Sequence, residues 1–491
     1  MNPPLQPAIR NLALLFLGSL LFHLAGTWTL PLIDRDEPRF AEASREMLAR
    51  SDYVIPHFNN RYRFDKPPLI YWLQTLSYRV FGQNDFAARF PSTVAASLTA
   101  LILFAWGRRI GGEGIAWWSA IIFTLCFQTF VHAKAAVADM WLALFVTAAH
   151  WAGYELLRDR LRSRGSPAPV APPEKRWWWI FYLALAFAFL AKGPIGWTPL
   201  LAILGARFYL GDAKLNRRFL FFTGLFLMLS VVAVWGIPAL IRTNGDFLRI
   251  GIGRHVLERS VVAMEGHGGK SFWAYLAGLP FYFVAIFVTF LPWSFKLPWL
   301  TKTLWRKRDS LDNYLIAGAA VIFIVFTLVK TKLPHYTLPA FPLLSLLLAK
   351  ALVELPGSER FVRRASITAG CFGLIAFLAS PLAAKYSPTV QLARQARGNL
   401  RREMEFGAVG YREPSLVWYF RKYVDGWLSD VDDNLVPEFM EKPGGRFIVM
   451  PTRRAMEVYP ATPEGWKRYT TQGFSPANFR WVDLTLLLKP L

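Results

Sequence analysis

The chain has 491 residues, 54% of them hydrophobic and 16% aromatic, and a formal net charge of +23. This composition excludes an ordinary soluble multidomain protein, whose surface needs more polar residues. The charge does not point to nucleic acid, because Lys and Arg concentrate in alternate short loops between apolar runs of about 17–25 residues, each long enough to cross ~30 Å of hydrocarbon.

The first run, residues 12–32, is longer than a signal-peptide core of about 7–15 residues and leads into polar sequence without a small-x-small cleavage site. It reads as a retained span with a cytoplasmic N-terminus. A long outer loop follows, residues 33–85. Span two lies near 86–106, then a turn with Arg108 and Arg109, then spans near 114–131 and 137–157. A Ser/Pro/Ala-rich loop with Arg158, Arg160, Arg162, Arg164, Lys175 and Arg176 reads as cytoplasmic. Spans five and six, near 177–190 and 195–210, flank the outer turn Ala191-Lys192-Gly193-Pro194. Span seven is near 219–241, a second outer loop covers 242–275, and span eight is near 275–295. Span nine ends at Val329, span ten lies near 337–353 and span eleven near 366–384. Every strongly basic loop then falls on one side. Cys126 and Cys371 lie inside apolar runs, which argues against a structural disulfide.

The expected fold is therefore a polytopic α-helical membrane domain of about 11 spans, residues 1–384, with outer-face juxtamembrane helices. An odd span number places residues 385–491 outside, as a small extracytoplasmic α/β domain with strands at 405–411, 446–450 and 481–488 and helices at 415–423 and 433–441. Within the first outer loop, Phe40, Ser44, Met47 and Leu48 share one helix face, with Arg39, Glu42, Arg45, Glu46 and Arg50 on the other. That pattern predicts an interfacial amphipathic helix. Pro67-Pro68 opens a second, aromatic helix with Tyr71, Trp72, Leu76 and Phe81.

Asp36 stands at the exit of span one. It could simply cap the helix that begins at Glu37-Pro38. It could also act as a carboxylate at the water–membrane border, taking a proton or orienting an acceptor; the two roles are compatible. Asp34-x-Asp36 is similar to a nucleotide-sugar metal motif, but an outward-facing loop meets no cytoplasmic nucleotide. Lys66, Arg39, Lys192, Lys330, Lys332, Arg254 and Arg259 are all predicted at the outer face, where cations are less expected than inside. Singly each could contact headgroups; together they suit an anionic leaving group such as a polyprenyl phosphate. Asp139, at the outer start of span four, is costly there unless paired or wet, which favours a role in the chemistry; Lys134 is its expected partner. Asp65, His255 and His267 are a weak candidate set for a divalent ion, Zn or Mg. Trp273, Tyr275, Trp293 and Tyr336 read as interface-belt aromatics.

Asp36-Glu37-Pro38-Arg39-Phe40-Ala41-Glu42 resembles the D-E-x-R-[YF]-A-E signature of the bacterial lipid A aminoarabinose transferase family, which belongs with the protein O-mannosyltransferases in the GT-C class. Phe64-Asp65-Lys66-Pro67-Pro68-Leu69-Ile70-Tyr71-Trp72 is similar to its F-E-K-P-P-L-x-Y-W. Phe81-Gly82, Ala88-Arg89-Phe90-Pro91-Ser92, Ala191-Lys192-Gly193-Pro194, the turn from Lys330 to Tyr336 and His255…Arg259…His267…Trp273 resemble later family motifs. The resemblance covers about residues 10–355. It implies an inverting transferase that uses a polyprenyl-phosphate sugar, with Asp36 as the catalytic carboxylate. Lys66, Arg39 and Tyr336 would meet the donor phosphate, and Asp65 with one histidine would hold a divalent ion. Glu37 and Tyr71, inside these motifs, are expected on the acceptor side or as support. The chain departs from the family at Asp65, where the aminoarabinose transferases have Glu, and at Arg63, where they have Tyr.

The expected partners are thus a lipid-linked sugar donor, a lipid or glycan acceptor and membrane lipids, with neither nucleotide nor nucleic acid. The expected place is the bacterial inner membrane, multi-pass, with the site facing the periplasm. Two rival readings stand beside lipid A as acceptor: transfer to a protein or surface glycan, and a polyprenyl-lipid flippase. The flippase reading is weaker because ionisable residues gather at the outer face rather than near the midplane.

Overall fold

The computed structural model describes residues 5–162, 174–210, 218–258 and 272–491; for residues 5–8, 160, 162, 206–210, 252, 254–258 and 272 only the backbone is described. The chain begins with α1 (Leu5–Leu24), α2 (Asp36–Arg50), a hairpin of β1 (His57–Phe58) and β2 (Arg61–Tyr62), and α3 (Leu69–Phe81). The bundle continues through α4 (Asp85–Gly111), α5 (Glu113–Thr124), α6 (Phe127–Ala133), α7 (Asp139–Arg162), α8 (Lys175–Lys192) and α9 (Thr198–Leu210). Next come α10 (Phe221–Arg242), a π-helical run Phe247–Glu258, α11 (Phe272–Gly278), α12 (Phe281–Thr289), α13 (Leu297–Arg306), α14 (Ser310–Leu328), α15 (Phe341–Val353) and α16 (Ser358–Tyr386).

Five described helices are long and apolar enough to cross a membrane, or seven if two bent pairs each count as one span, fewer by this measure than the eleven expected. Two predicted spans are broken. The α5–α6 pair bends by 64° and the 273–289/293–306 pair by 112°. Pro292 lies in the second break, where it offers no N–H to continue a helix. The breaks meet each other: the Phe127 amide donates to Leu291 carbonyl at 2.8 Å, and the Cys126 thiol donates to Thr289 carbonyl at 3.2 Å. An unpaired backbone group in hydrocarbon costs several kcal/mol, so each break supplies what the other lacks. Trp293, expected in the interface belt, is instead fully buried in the bundle core with Tyr282 and Phe290.

The C-terminal domain comprises α17 (Pro388–Ala396), β3 (Glu405–Ala408), α18 (Pro414–Phe420), β4 (Leu428–Asp430), α19 (Val436–Glu441), β5 (Arg446–Pro451), α20 (Thr452–Val458), β6 (Lys467–Ser475) and β7 (Arg480–Lys489). Its sheet has the order β4-β3-β5-β7-β6, with β3 parallel to β4 and β5, and β7 antiparallel to β5 and β6. The three predicted strands are present; β4 and β6 were not foreseen, one being three residues long and the other a polar edge. The domain does not hang on a tether. One apolar cluster joins Leu32, Ala41 and Tyr78 to Trp418, Phe420, Phe406 and Phe447.

That contact corrects the interfacial reading of α2. Much of its charged face is buried too: Glu42, Arg45 and Glu46 lie under the C-terminal domain, while Arg50 is exposed. Arg421 reaches Glu42 at 3.2 Å and Glu46 at 3.8 Å, while Arg45 also pairs with Glu42 and donates to the Trp418 carbonyl at 3.2 Å. The charges are neutralised by protein, not by water or headgroups.

Candidate functional site

The exit of span one is tied down on both sides of Asp36. Asp34 accepts the Ser415 amide at 2.8 Å, at the start of α18. Burial pushes the Asp34 carboxyl up to about 7. Arg35 reaches Glu413 at 3.6 Å and Asn478 at 3.1 Å. Glu37 is buried and accepts from Arg89 through both oxygens at 2.8 and 2.7 Å, and from the amides of Ala136 and Ile33, both at 2.7 Å. Arg89 also donates to the carbonyls of Thr27, Leu30 and Pro31. Of the two roles expected of Glu37, acceptor side or support, its contacts are those of support: four donors fill its oxygens. Asp36, between these anchors, is exposed.

The second wall is the segment from Arg63 to Pro68 that enters α3. Tyr71 is fully buried and stacks on Phe40, with 5.5 Å between ring centroids. Arg63 donates to its hydroxyl at 3.1 Å, pairs with Asp65 at 3.0 Å and lies 5.1 Å over the Phe40 ring. The charges of Asp36 and Asp65 both act on Arg63 and Tyr71. Tyr71 thus supports Arg63. Lys66 donates to the Asp65 carbonyl at 3.0 Å.

The third wall joins the start of α7 and the end of α8 to the turn at Pro334–Ala340. Lys192 pairs with Asp139 at 2.5 Å, and His335 Nε2 lies 3.9 Å from the same carboxylate. The expected partner Lys134 instead donates to three carbonyls at the end of α1, those of Phe22, His23 and Ala25. Helix ends expose such acceptors, and a cation suits them. Lys192 also lies 5.2 Å over the Tyr336 ring. Lys66 is near enough for its charge to act on His335.

The second and third walls meet at a cavity of about 660 Å³, which no residue named in the first wall lines. Asp65, Lys66, Lys192, Thr331 and Tyr336 supply its polar groups; Phe189, Trp197, Leu200, Phe221, Trp235, Phe247 and Phe326 line its apolar body. Asp36, Arg39 and Lys330 are not among the lining residues. Lys332 is corrected as a phosphate contact: it caps the end of α14, donating to the carbonyls of Phe326, Thr327 and Val329. Arg259 and His267 lie outside the described residues, as do the side chains of Arg254 and His255.

Among the described residues, the one His/Cys/Asp/Glu group that could hold a metal is His132, Asp139 and His335, with one ligand atom from each within 4.8 Å of the others. A divalent ion there would displace the Lys192 ammonium, which already neutralises the carboxylate, so the trio fits an ammonium better than a second cation. Arg63, Arg89, His132 and His335 received no site role from sequence. The available signals were a histidine inside an apolar run, an arginine in the A-R-F-P-S stretch and the neighbours of Asp65 and Tyr336.

Comparison with known proteins gives the following likenesses. Residues 65–237 match the family described as dolichyl-phosphate-mannose-protein mannosyltransferase. The chain is 30% identical over 364 residues to an undecaprenyl phosphate-alpha-4-amino-4-deoxy-L-arabinose arabinosyl transferase of Edwardsiella ictaluri, covering 72% of this chain and 61% of that one. It is 29% identical to the protein of the same name from Erwinia tasmaniensis, covering 75% and 64%. The chain thus spans less than two thirds of the length of these curated relatives. Its fold is similar to that of ArnT from Cupriavidus metallidurans, solved bound to undecaprenyl phosphate, with a TM-score of 0.77, 20% identity and coverage of 96% and 97%. It is also similar to the archaeal oligosaccharyltransferase AglB from Archaeoglobus fulgidus, with a TM-score of 0.50, 12% identity and coverage of 91% and 70%.

Proposed function

We propose that the chain is a glycosyltransferase of the GT-C class that transfers a sugar, with inversion, from a polyprenyl-phosphate carrier to lipid A or another envelope glycolipid. The observation that carries this reading is the cavity with an apolar body and cations at its polar groups, which suits a lipid phosphate. The relatives named as undecaprenyl-phosphate aminoarabinose transferases support the donor class. Basic loops gathered on the opposite side of the membrane support a periplasmic site in the inner membrane.

The donor phosphate lies against Lys66, Lys192 and Tyr336, and its isoprenoid chain runs through the apolar body toward the bilayer. Asp139 fixes the Lys192 ammonium, and Arg63, held by Tyr71, pairs with Asp65. The acceptor enters on the Asp36 side. An acceptor hydroxyl oxygen attacks the anomeric carbon, its proton passes to Asp36, and the bond from that carbon to the phosphate oxygen breaks. The departing polyprenyl phosphate keeps the electron pair, and the lysines stabilise its charge. An acceptor that is already a phosphate needs no base, and Asp36 then orients it. Lys192 supplies the positive charge at Asp139, so this trio holds an ammonium in place of a divalent ion.

Purified protein in nanodiscs, given a polyprenyl-phosphate sugar and lipid A, tests the reading by mass spectrometry of the product. Sugar-bearing lipid A is the expected result, lost with Asp36→Asn. Transfer only to protein or surface glycan would move the acceptor assignment, and lipid movement without transfer would overturn the enzyme reading.

A further inference from the structure

The last span, α16, has 29 residues. Arg360, Arg363 and Arg364 stand near its start and Lys385 near its end, a length of about 43 Å at 1.5 Å per residue. Leu374, Leu378 and Leu382 project from it uncovered by protein, as a lipid-facing stripe does. Tyr386 continues that stripe one turn on and is 45% exposed. There the β6–β7 hairpin docks. Trp481 meets Tyr386 edge to face, 5.6 Å between centroids, and packs on Phe474 at 6.1 Å. The seat is rigid: a Cβ at Gly473 would come within 2.5 Å of the Tyr386 carbonyl oxygen.

The hairpin tip is more exposed than a water-facing turn would warrant. Trp481 is 63% exposed and Phe479 is 85% exposed. Phe479 has φ +49°, which is strained for a bulky residue. A strained backbone that presents an aromatic ring outward implies something for the ring to enter. The same tip touches the reaction loop: Asn478 accepts from Arg35, next to Asp36, and donates to Glu413 at 3.0 Å.

We propose that Phe479, Trp481 and Tyr386 form an aromatic anchor that seats the C-terminal domain in the headgroup layer of the outer leaflet, beside the loop that carries Asp36. Three facts favour a lipid surface over another protein. The patch is continuous with the lipid-facing stripe of α16. It lies at the end of that span, where amphipathic aromatic rings prefer the membrane–water border. It is flanked by the exposed cations Lys385 and Arg480, which suit anionic headgroups. The anchor fixes the height of the Asp36 loop over the bilayer and holds whether or not the chain transfers sugar.

A nitroxide at Phe479→Cys, in a Cys371→Ser background and in anionic nanodiscs, tests this through collisions with oxygen and with a water-soluble nickel chelate. Leu382→Cys serves as the lipid control, and Glu464→Cys, on an exposed turn at the far end of β6, as the aqueous one. The ratio of oxygen to nickel collisions at 479 should fall nearer that at 382. A label at Trp481→Cys gives an independent reading should the strained turn not accept one at 479. Nickel access at both tip positions equal to that at 464 would overturn the anchor.

Discussion

Two charged clusters of the molecule behave oppositely. Under the C-terminal domain, Glu42, Arg45, Glu46 and Arg421 pair with one another, and Arg421 lies 3.6 Å from the Trp427 ring. Asn59 and Leu428 exchange two hydrogen bonds, at 2.8 and 2.9 Å, to close the same contact. At the other cluster, Lys66 and Lys192 line a cavity and Asp36 is exposed. Buried charges that satisfy each other hold a fold together, whereas cations lining an apolar cavity remain within reach of a ligand. The first cluster aims the helix whose first residue belongs to the second.

The comparison breaks most sharply at Asp36. Asp36→Asn should lower transfer about 100- to 10,000-fold, the usual span for a lost general base, while the melting temperature stays put. A normal rate in a folded variant would remove it from the chemistry. Arg89→Ala should do the reverse: stranding Glu37 costs about 3–5 kcal/mol of stability, as breaking a buried pair does, read as a loss of folded protein in detergent. Lys192→Met should reduce turnover about 100-fold, as losing one donor to a developing anion does, with Asp139→Asn costing less because the ammonium remains. Equal rates for Lys192→Met and wild type would place the phosphate elsewhere. Arg421→Ala should cost about 1–3 kcal/mol, the penalty of an unsatisfied buried acceptor, without changing turnover per folded molecule.

The smallest effect is one of pH. Burial holds the carboxyls of Asp34 and Glu46 up to about 7 in the folded protein, whereas in an unfolded chain they ionise at about 4. Between those values the folded state binds more protons, so stability falls as pH rises from about 4 to about 7 and levels off above. Asp34→Asn together with Glu46→Gln should flatten that slope in a series of thermal melts. An unchanged slope would assign it to other groups.

Much of the site was legible because its residues lie in local motifs. Asp36 and Lys66 lie in the long polar loop after the first apolar run, and Lys192 and Tyr336 sit in short polar turns between apolar runs. What was not legible was pairing across the bundle. Asp139 and Lys134 are neighbours in sequence, yet the partner is Lys192, because Lys134 is drawn to the bare carbonyls ending α1. Helical periodicity likewise identified the charged face of α2 but not what covers it.

Composition and the spacing of apolar runs were enough to indicate a membrane-embedded bundle with a long polar loop after its first apolar run, since hydrocarbon imposes run length on any chain that crosses it. Only the tertiary structure decided which charges became struts and which face the cavity. That depends on which side chains the folded helices bring within hydrogen-bonding distance, and such contacts between residues far apart in the chain leave no period in the sequence.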